Sequence, residues 1–372
     1  MNAVTPSTSR ARLTVRVVSE DGELAGLSRE WADLYARSSP ATPFQAHGWL
    51  CSWWRSYGSP GRLRVFLAYR AGRLVAAAPF RLDRRVLTPV GGEQSDFTDI
   101  VVDDAEGDAG LRDLRDGLLG QRGWDVIDLP EVRPGAVACR LAGVWGERAW
   151  TLPASTCLQL PGEPIEHALG ALESRRARRL RSVLRKLDAL ELSVADVKAD
   201  GVAGAMTELL RLHAMQWAGR GINVQHTQPR FREHLVTAAR SLTADGHAVV
   251  SEFRVRGRLL ACDFSLIGKD FVGGYLYGVH PDLRAEADVL TLLLRQNLAM
   301  THRLGKPVFS LLRGDEPHKG KYGCRAVANQ RVILGRDVRA LPYAATTGAR
   351  TAGRELLKRR YPRLAERISA WR

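Results

Sequence analysis

The 372-residue chain lacks the marks of many protein classes. Its five cysteines, Cys51, Cys139, Cys157, Cys262 and Cys324, are odd in number, scattered and never in a CxxC pair. That spacing argues against a disulfide framework and reads as reduced thiols in a cytosolic protein. No run approaches the roughly 20 apolar residues of a membrane span, so no transmembrane segment is expected. The opening MNAVTPSTSRAR has no apolar stretch of the signal-peptide kind, and residues 1–12 read as a disordered N-terminus. A GxSxG elbow, an HExxH helix and a GxGxxG turn after a strand are all missing, which removes the signatures of serine hydrolases, zincins and Rossmann dinucleotide sites. The nine histidines are dispersed without ligand spacing, so no metal is predicted. GDEPHKGK (314–321) ends like a phosphate loop, but five residues separate its glycines and Tyr322 stands where a Walker loop has Ser or Thr.

What remains is a composition that folds. Hydrophobic residues make up 45% and charged residues 26%, and the length suits two domains. The excess of 55 Lys and Arg over 40 Asp and Glu, a formal +15, favours anionic partners: cofactor phosphates, tRNA, an acidic substrate or a membrane surface.

One unit is written twice. VFLAYRAGRLVAAAPFRL (65–82) and VSEFRVRGRLLACDFSLI (250–267) each read as strand, glycine turn, strand, with Gly72 and Gly257 offset by 257 − 72 = 185. GWDVIDLP (123–130) and GKPVFSLL (305–312) each open an apolar strand with Gly, offset by 305 − 123 = 182. Between them each half carries another strand, FTDIVV (97–102) or GGYLYGV (273–279), and a helix, Gly110 to Leu119 or Val289 to Arg303. Further helices precede each hairpin: Leu27 to Tyr35 and His47 to Tyr57, then Val202 to Arg220 and Arg230 to Ala244. This order predicts an α/β (α+β) fold of two tandem domains, each a mixed β-sheet flanked by helices, over 13–164 and 165–345, with the boundary near Leu160 to Pro164.

Between the halves SRRARRLRSVLRKLD (174–188) spaces Ala177, Leu180, Leu184 and Leu187 as one helical face. Arg175, Arg176, Arg178, Arg179, Arg181, Arg185 and Lys186 cover the rest, a surface for phosphates or simply for water. A basic helical tail is expected over 346–372.

The densest polar stretch is LLRGDEPHKGKYG (311–323), with Arg313, Asp315, Glu316, His318, Lys319, Lys321 and Tyr322 directly after an apolar strand, where α/β sheets bind ligands. Tyr275 and Tyr277, at i and i+2, are expected on one sheet face.

At that stretch RGDEPHKGKYG resembles the RGDEPYKxxxG signature of the acetyltransferase family named for a cellulose-biosynthesis protein (CelD/BcsL-like), in the GNAT superfamily and related to FemAB-type aminoacyl transferases. PFQAHGWLCSWWRSYG (43–58) is similar to its PFQxxxWxxxWWxxFG block, SDFTDIVV (95–102) to its SDYxDFxV, and LHAMQW (212–217) to its LHxxRW helix. The resemblance spans about residues 24 to 335. It implies two GNAT-like domains, with acetyl-CoA or another acyl-CoA as cosubstrate and a small-molecule or glycan-precursor amine or hydroxyl as acceptor. A charged tRNA is the donor in the FemAB-like alternative, and a non-catalytic scaffold in exopolysaccharide assembly is a third reading.

Under acyl transfer Asp315 is the first choice for the group that orients or deprotonates an amine, and Glu316 the second. Tyr277 or Tyr322 would protonate the leaving thiolate. Lys319 and Arg313 would bind phosphate or carboxylate, with Val279, His280 and Arg284 near the carrier and an oxyanion donor from the backbone between Tyr277 and His280. Asp96, Asp99, Trp217 and Tyr275 are candidates for the acceptor side. One departure stands out: HPDLRAEADVLTLLL (280–294) places Glu286 and Asp288 at a helix start, where acids satisfy the helix dipole and repel a pyrophosphate.

Overall fold

The computed structural model describes residues 11–217, 224–314 and 321–360. In the first half follow β1 (Leu13–Val18), α1 (Asp21–Gly26), α2 (Ser28–Ala36), α3 (His47–Tyr57), β2 (Leu63–Arg70), β3 (Arg73–Asp83), β4 (Val86–Pro89), β5 (Val101–Val102), α4 (Gly107–Gly120), β6 (Val126–Val132), α5 (Val137–Trp145) and β7 (Ala149–Pro161). The second half has α6 (Ile165–Ala168), α7 (Ser174–Asp188), β8 (Leu192–Asp196), α8 (Val202–Trp217), α9 (Pro229–Ala244), β9 (Ala248–Val255), β10 (Arg258–Ile267), β11 (Phe271–Val279), α10 (Pro281–Glu286), α11 (Val289–Arg303), β12 (Val308–Arg313), β13 (Arg325–Gly335) and α12 (Leu341–Arg360).

The two hairpins form because their turns supply left-handed backbone. Ala71 and Gly72 have φ of 48° and 77°, and Arg256 and Gly257 have 49° and 76°, the type I′ geometry that suits the right-handed twist of the strands. Each hairpin carries one bulged residue soon after the turn, Val75 in β3 and Leu260 in β10, again 260 − 75 = 185 apart. Glu131 and Leu312, near the ends of β6 and β12, are both left-handed as well, at φ 56° and 55°. Repetition of such costly backbone at matching positions supports the duplicated pattern.

All strands join one mixed sheet in the order β1-β2-β3-β4-β6-β13-β7-β12-β11-β10-β9-β8, with β5 on β3. Read from either end the order is the same set of roles: edge strand, hairpin, the strand that pairs in parallel with the Gly-led strand, Gly-led strand, last strand. The parallel pairs are β4 with β6 and β11 with β12, one in each half, as crossover helices α4 and α11 require. The last strands are exchanged. β13 pairs with β6 of the first half, and β7 pairs with β12 of the second, while β7 and β13 pair with each other.

Side chains reinforce the joint. One apolar cluster draws Trp31, Trp49 and Trp53 from the first half together with Leu235, Phe264 and Leu276 from the second. α3 packs along α9, with Ser52 Oγ 2.8 Å from His234 Nδ1. Lys269 Nζ donates to the carbonyls of Tyr35 and Ala36, which end α2, and of Ser38 just beyond it.

Most expected helices appear within a few residues of their bounds, α3, α7 and α11 at the same termini; residues 218–220 of the helix expected to Arg220, and 361–372 of the tail, lie outside the described residues. The strand expected over 97–102 is reduced to Val101–Val102. Its beginning follows side-chain bonds instead: Asp99 accepts from the amides of Ile100, Val137 and Ala138, and so caps α5 from outside.

Candidate active site

β11 and β12 pair only at Phe271, Val272 and Gly273, and then part. Two features open this splay. Opposite β10 the register of β11 jumps from Leu276 to Gly274, leaving Tyr275 as a bulged residue. β12, paired with β7 from Val308 onward, meanwhile shifts its register on that strand between Ser310 and Arg313, around left-handed Leu312. The consequence is a cavity of about 170 Å³ lined by Asp96, Asp263, Tyr275, Tyr277, Asn297 and Arg313 among others. Leu312 and Tyr275 pack with the cluster shared by the halves, whereas Leu293, Leu294, Phe309 and Tyr277 belong to the cluster under α11. Lining from both clusters means that the cavity passes through the sheet.

The bulge also overturns the expectation that Tyr275 and Tyr277 share a face. They pack into different clusters, although both reach the cavity. The Tyr275 hydroxyl donates to the Gln94 carbonyl at 2.8 Å, and burial pushes its phenol well up from the ordinary value. Tyr277 gives its carbonyl to His213 Nδ1 at 2.8 Å. His280 N donates to Leu260 O on the β10 side, which withdraws it from the expected oxyanion donors. Strand alternation then turns the amides of Tyr277 and Val279 the other way, toward the splay.

Arg313 and Asp96, expected on the carrier and the acceptor respectively, are partners. Arg313 Nε donates to Asp96 Oδ1 at 2.6 Å and Nη2 to the Glu93 carbonyl at 2.6 Å, which ties the two halves together at the cavity wall. Asp99 does not reach the cavity; it is spent on α5. Burial pushes its carboxyl up to about 6 against the three amide bonds that lower it. Tyr322 lies buried under α11 with its hydroxyl 2.8 Å from Thr291 Oγ1, so it too faces away from the splay cavity. The Nδ1 of His280 accepts from Asp282 N and caps the short α10. Val279 is buried, and the Arg284 Nε is buried without a partner among the described residues. Trp217 ends α8 with its ring 6.4 Å from that of His213. Asp315, Glu316 and Lys319 lie outside the described residues.

A second cavity, about 480 Å³, adjoins the first turn of α11 and is lined by Arg176, Arg179, Leu180, Val183, Asp288, Thr291 and Lys321. Asp288 caps this helix, its Oδ1 accepting from Thr291 N, and its Oδ2 accepts from Lys321 Nζ at 2.7 Å. Lys321 and the Thr291 bonds hold the Asp288 carboxyl below its ordinary value although burial opposes them. The acid expected at the helix start is thus present and occupied. Cations for an anion come instead from α7, whose seven Arg and Lys are exposed while Ala177, Leu180, Leu184 and Leu187 are buried. From Thr291 in this cavity to Asn297 in the splay is six helical residues, a rise of roughly 9 Å.

Two site residues escaped the sequence reading, Asp263 and Asn297. Asp263 is 4% exposed, accepts from Ser265 Oγ at 2.7 Å, and is opposite Tyr277 in the β10–β11 pairing. Burial pushes its carboxyl up to about 6, and only the neutral groups of Ser265 and Asn297 oppose that rise. The available signal was a carboxylate inside the apolar strand LLACDFSLI.

No curated protein sequence matches the chain. Among solved structures, FemX is similar over 85% of this chain and 98% of its own at 9% identity, with a TM-score of 0.60. L-PGS from Bacillus licheniformis matches over 89% and 97% at 10% identity, TM-score 0.55. The C-terminal domain of a chain assigned as a lysylphosphatidylglycerol synthetase from Agrobacterium fabrum matches over 88% and 95% at 13% identity, TM-score 0.55. Likeness at these identities concerns the fold alone. Residues 174–320, from the start of α7 through the splay, match the family model described as an acetyltransferase (GNAT) domain.

Proposed function

We propose that the chain is an acyltransferase that moves an acyl group, acetyl first among them, from acyl-CoA to an amine or hydroxyl of a small molecule or polysaccharide precursor. The observation that carries this reading is the cavity at the β11–β12 splay, with a separate cation-lined cavity at the first turn of the same helix α11. A phosphorylated carrier fits that pair of spaces. Arg176, Arg179 and Lys321 would hold its phosphates through side chains, since Asp288 already occupies the helix terminus. The acyl end would enter the splay, where the amides of Tyr277 and Val279 are turned to meet a carbonyl oxygen as charge develops on it. An acceptor would approach from the side of the joint, past Asp96, Arg313 and Tyr275. Asp315 and Lys319, which follow β12 in the sequence, stay in this proposal, and Asp315→Ala or Lys319→Ala is expected to leave the fold intact and remove most activity. The resemblance to the CelD/BcsL-like family supports the same reading.

One observation favours a second reading, transfer from a charged tRNA. The exposed cations of α7 exceed what a single pyrophosphate needs, and among the described residues only Arg176 of them has an ion pair, with Glu173 just before the helix at 3.9 Å.

A thermal-shift panel decides between them. Under the first reading an acyl-CoA at 100 times its dissociation constant stabilises the fold by about 2.7 kcal/mol, and Arg176→Ala with Arg179→Ala weakens that binding about tenfold or more. Stabilisation by charged tRNA alone, with steep salt dependence, moves the assignment to the second. No shift with either leaves a non-catalytic scaffold.

A further inference from the structure

We propose that Asp263 receives the amino group of the acceptor and takes its proton during transfer, which makes primary amines the acceptor class of this site. The inference rests on the acyl-transfer reading and deepens it.

Among the described residues Asp263 is a carboxylate without a cation. Its cross-strand row on the α11 face runs Asp196 in β8, Ser251 in β9, Asp263 in β10 and Tyr277 in β11. Ser251 gives its hydroxyl to Asp196, which also takes Arg303 at 2.9 Å. That guanidinium is thus bound two strands away, roughly 10 Å at ordinary strand spacing. From α11 the group facing Asp263 is Asn297, and from β10 itself Ser265. Across the cavity Arg313 is held by Asp96. Among the described residues the titratable groups around Asp263 are therefore Tyr277, the distant Asp196 with Arg303, and the Asp96–Arg313 pair.

A buried carboxylate with neutral partners is costly, and proteins keep such groups where a charge arrives from outside. An ammonium ion entering the splay supplies the missing cation. The other half shows what the fold needs at this position when no ligand comes: the residue 185 positions earlier, past the same bulge, is Ala78, and Phe80 stands where Ser265 stands. The carboxyl at about 6 is poised to accept a proton near neutral pH.

In the step, the nitrogen bonds to the acyl carbon and the carbon–sulfur bond of the thioester breaks. Asp263 first takes one proton from the ammonium and passes it to water, which frees the nitrogen lone pair, and the second proton, lost as the amide forms, goes by way of Asp263 to the leaving thiolate. Products are the amide and the free thiol, with no change in oxidation state.

The test compares wild type, Asp263→Asn and Asp263→Glu with acetyl-CoA and a set of primary amines and matched alcohols, following thiol release against pH. Acetyl-CoA affinity is measured separately by calorimetry. The expected result is unchanged acetyl-CoA binding by Asp263→Asn, transfer to amines slowed at least about 100-fold, loss of the acid limb near pH 6, and partial rescue in Asp263→Glu. Full transfer and an intact acid limb in Asp263→Asn, or preference of the wild type for alcohols, overturns the proposal. Should the wild type bind no acetyl-CoA, the acyl-CoA reading falls by itself. The amine site is then read by isotope-edited infrared titration of the Asp263 carboxyl, where added propylamine must move the midpoint and a fixed midpoint refutes the site.

Discussion

The two halves of this chain use one plan for different ends. Each has a type I′ hairpin with a bulge shortly after the turn, a parallel strand pair, a crossover helix and a left-handed residue near the end of the Gly-led strand. The face of β3 under α4 is filled by Phe66, Ala76, Ala78 and Phe80 with Leu111, Leu114 and Leu118, an apolar packing that needs no ligand. The same face of β10 under α11 holds Asp263, Ser265 and Asn297 beside a cavity. Where the plan is shared, it reports the fold; where the second half departs toward buried polarity, it reports the site.

The sharpest way to break this comparison is to make the first half imitate the second. Ala78→Asp places a carboxylate among Phe66, Phe80 and the leucines of α4 with no hydroxyl or amide in Ser265's place. A loss of about 3–5 kcal/mol in urea denaturation is expected. Tolerance would show that this face accepts a buried acid as readily as its counterpart.

Next in size is the bridge between halves. Arg313→Ala strands Asp96 at the joint and is expected to cost about 2–3 kcal/mol, with Asp96→Ala recovering part of it in a double-mutant cycle. Additive losses would mean that the pair carries no coupling.

Asp263→Asn tests the cost of polarity in the second half. Because burial raises the folded carboxyl from 3.8 to about 6, the folded state holds the proton more tightly than the unfolded chain does. Stability from this group is complete below pH 4 and is lost as pH climbs through 6. The Asn variant therefore matches wild type near pH 4 and exceeds it at pH 7.5 by on the order of 1–3 kcal/mol, read as Tm against pH. A variant that is less stable at pH 7.5 would contradict the comparison.

The smallest effect belongs to Asp99, which acts on α5 alone. Asp99→Ala is expected to cost about 1 kcal/mol and to leave acetyl-CoA affinity unchanged. A shift in affinity would return Asp99 to the site.

Local physics was legible in the sequence. Glycine turns marked both hairpins, and apolar spacing fixed α3, α7 and α11, because a turn or an amphipathic face is decided by residues near one another. The block 43–58 was recognisable but not its purpose, which is to seat Trp49 and Trp53 against Ser95 and Gln94, with Nε1 donors at 2.9 and 2.7 Å. The exchange of β7 and β13 was illegible, since either strand satisfies its own pattern with either neighbour. The Asp96–Arg313 pair joins residues from different halves, and no spacing rule reaches that far. FTDIVV keeps only Val101–Val102 as a strand, because Asp99 is turned to the amides of α5 instead of lying in a ladder. Asp263 was visible as a polar residue in an apolar strand, but its meaning depended on where β11 bulges.

The most direct measurement is a crystal structure with a non-hydrolysable acetyl-CoA analogue. The expected result has the phosphates beside Arg176, Arg179 and Lys321 and the acyl group in the β11–β12 splay, within reach of the Tyr277 and Val279 amides. An analogue lodged at the β4–β6 pair of the first half, or absent from the splay at saturating concentration, would contradict the assignment of the site to the second half.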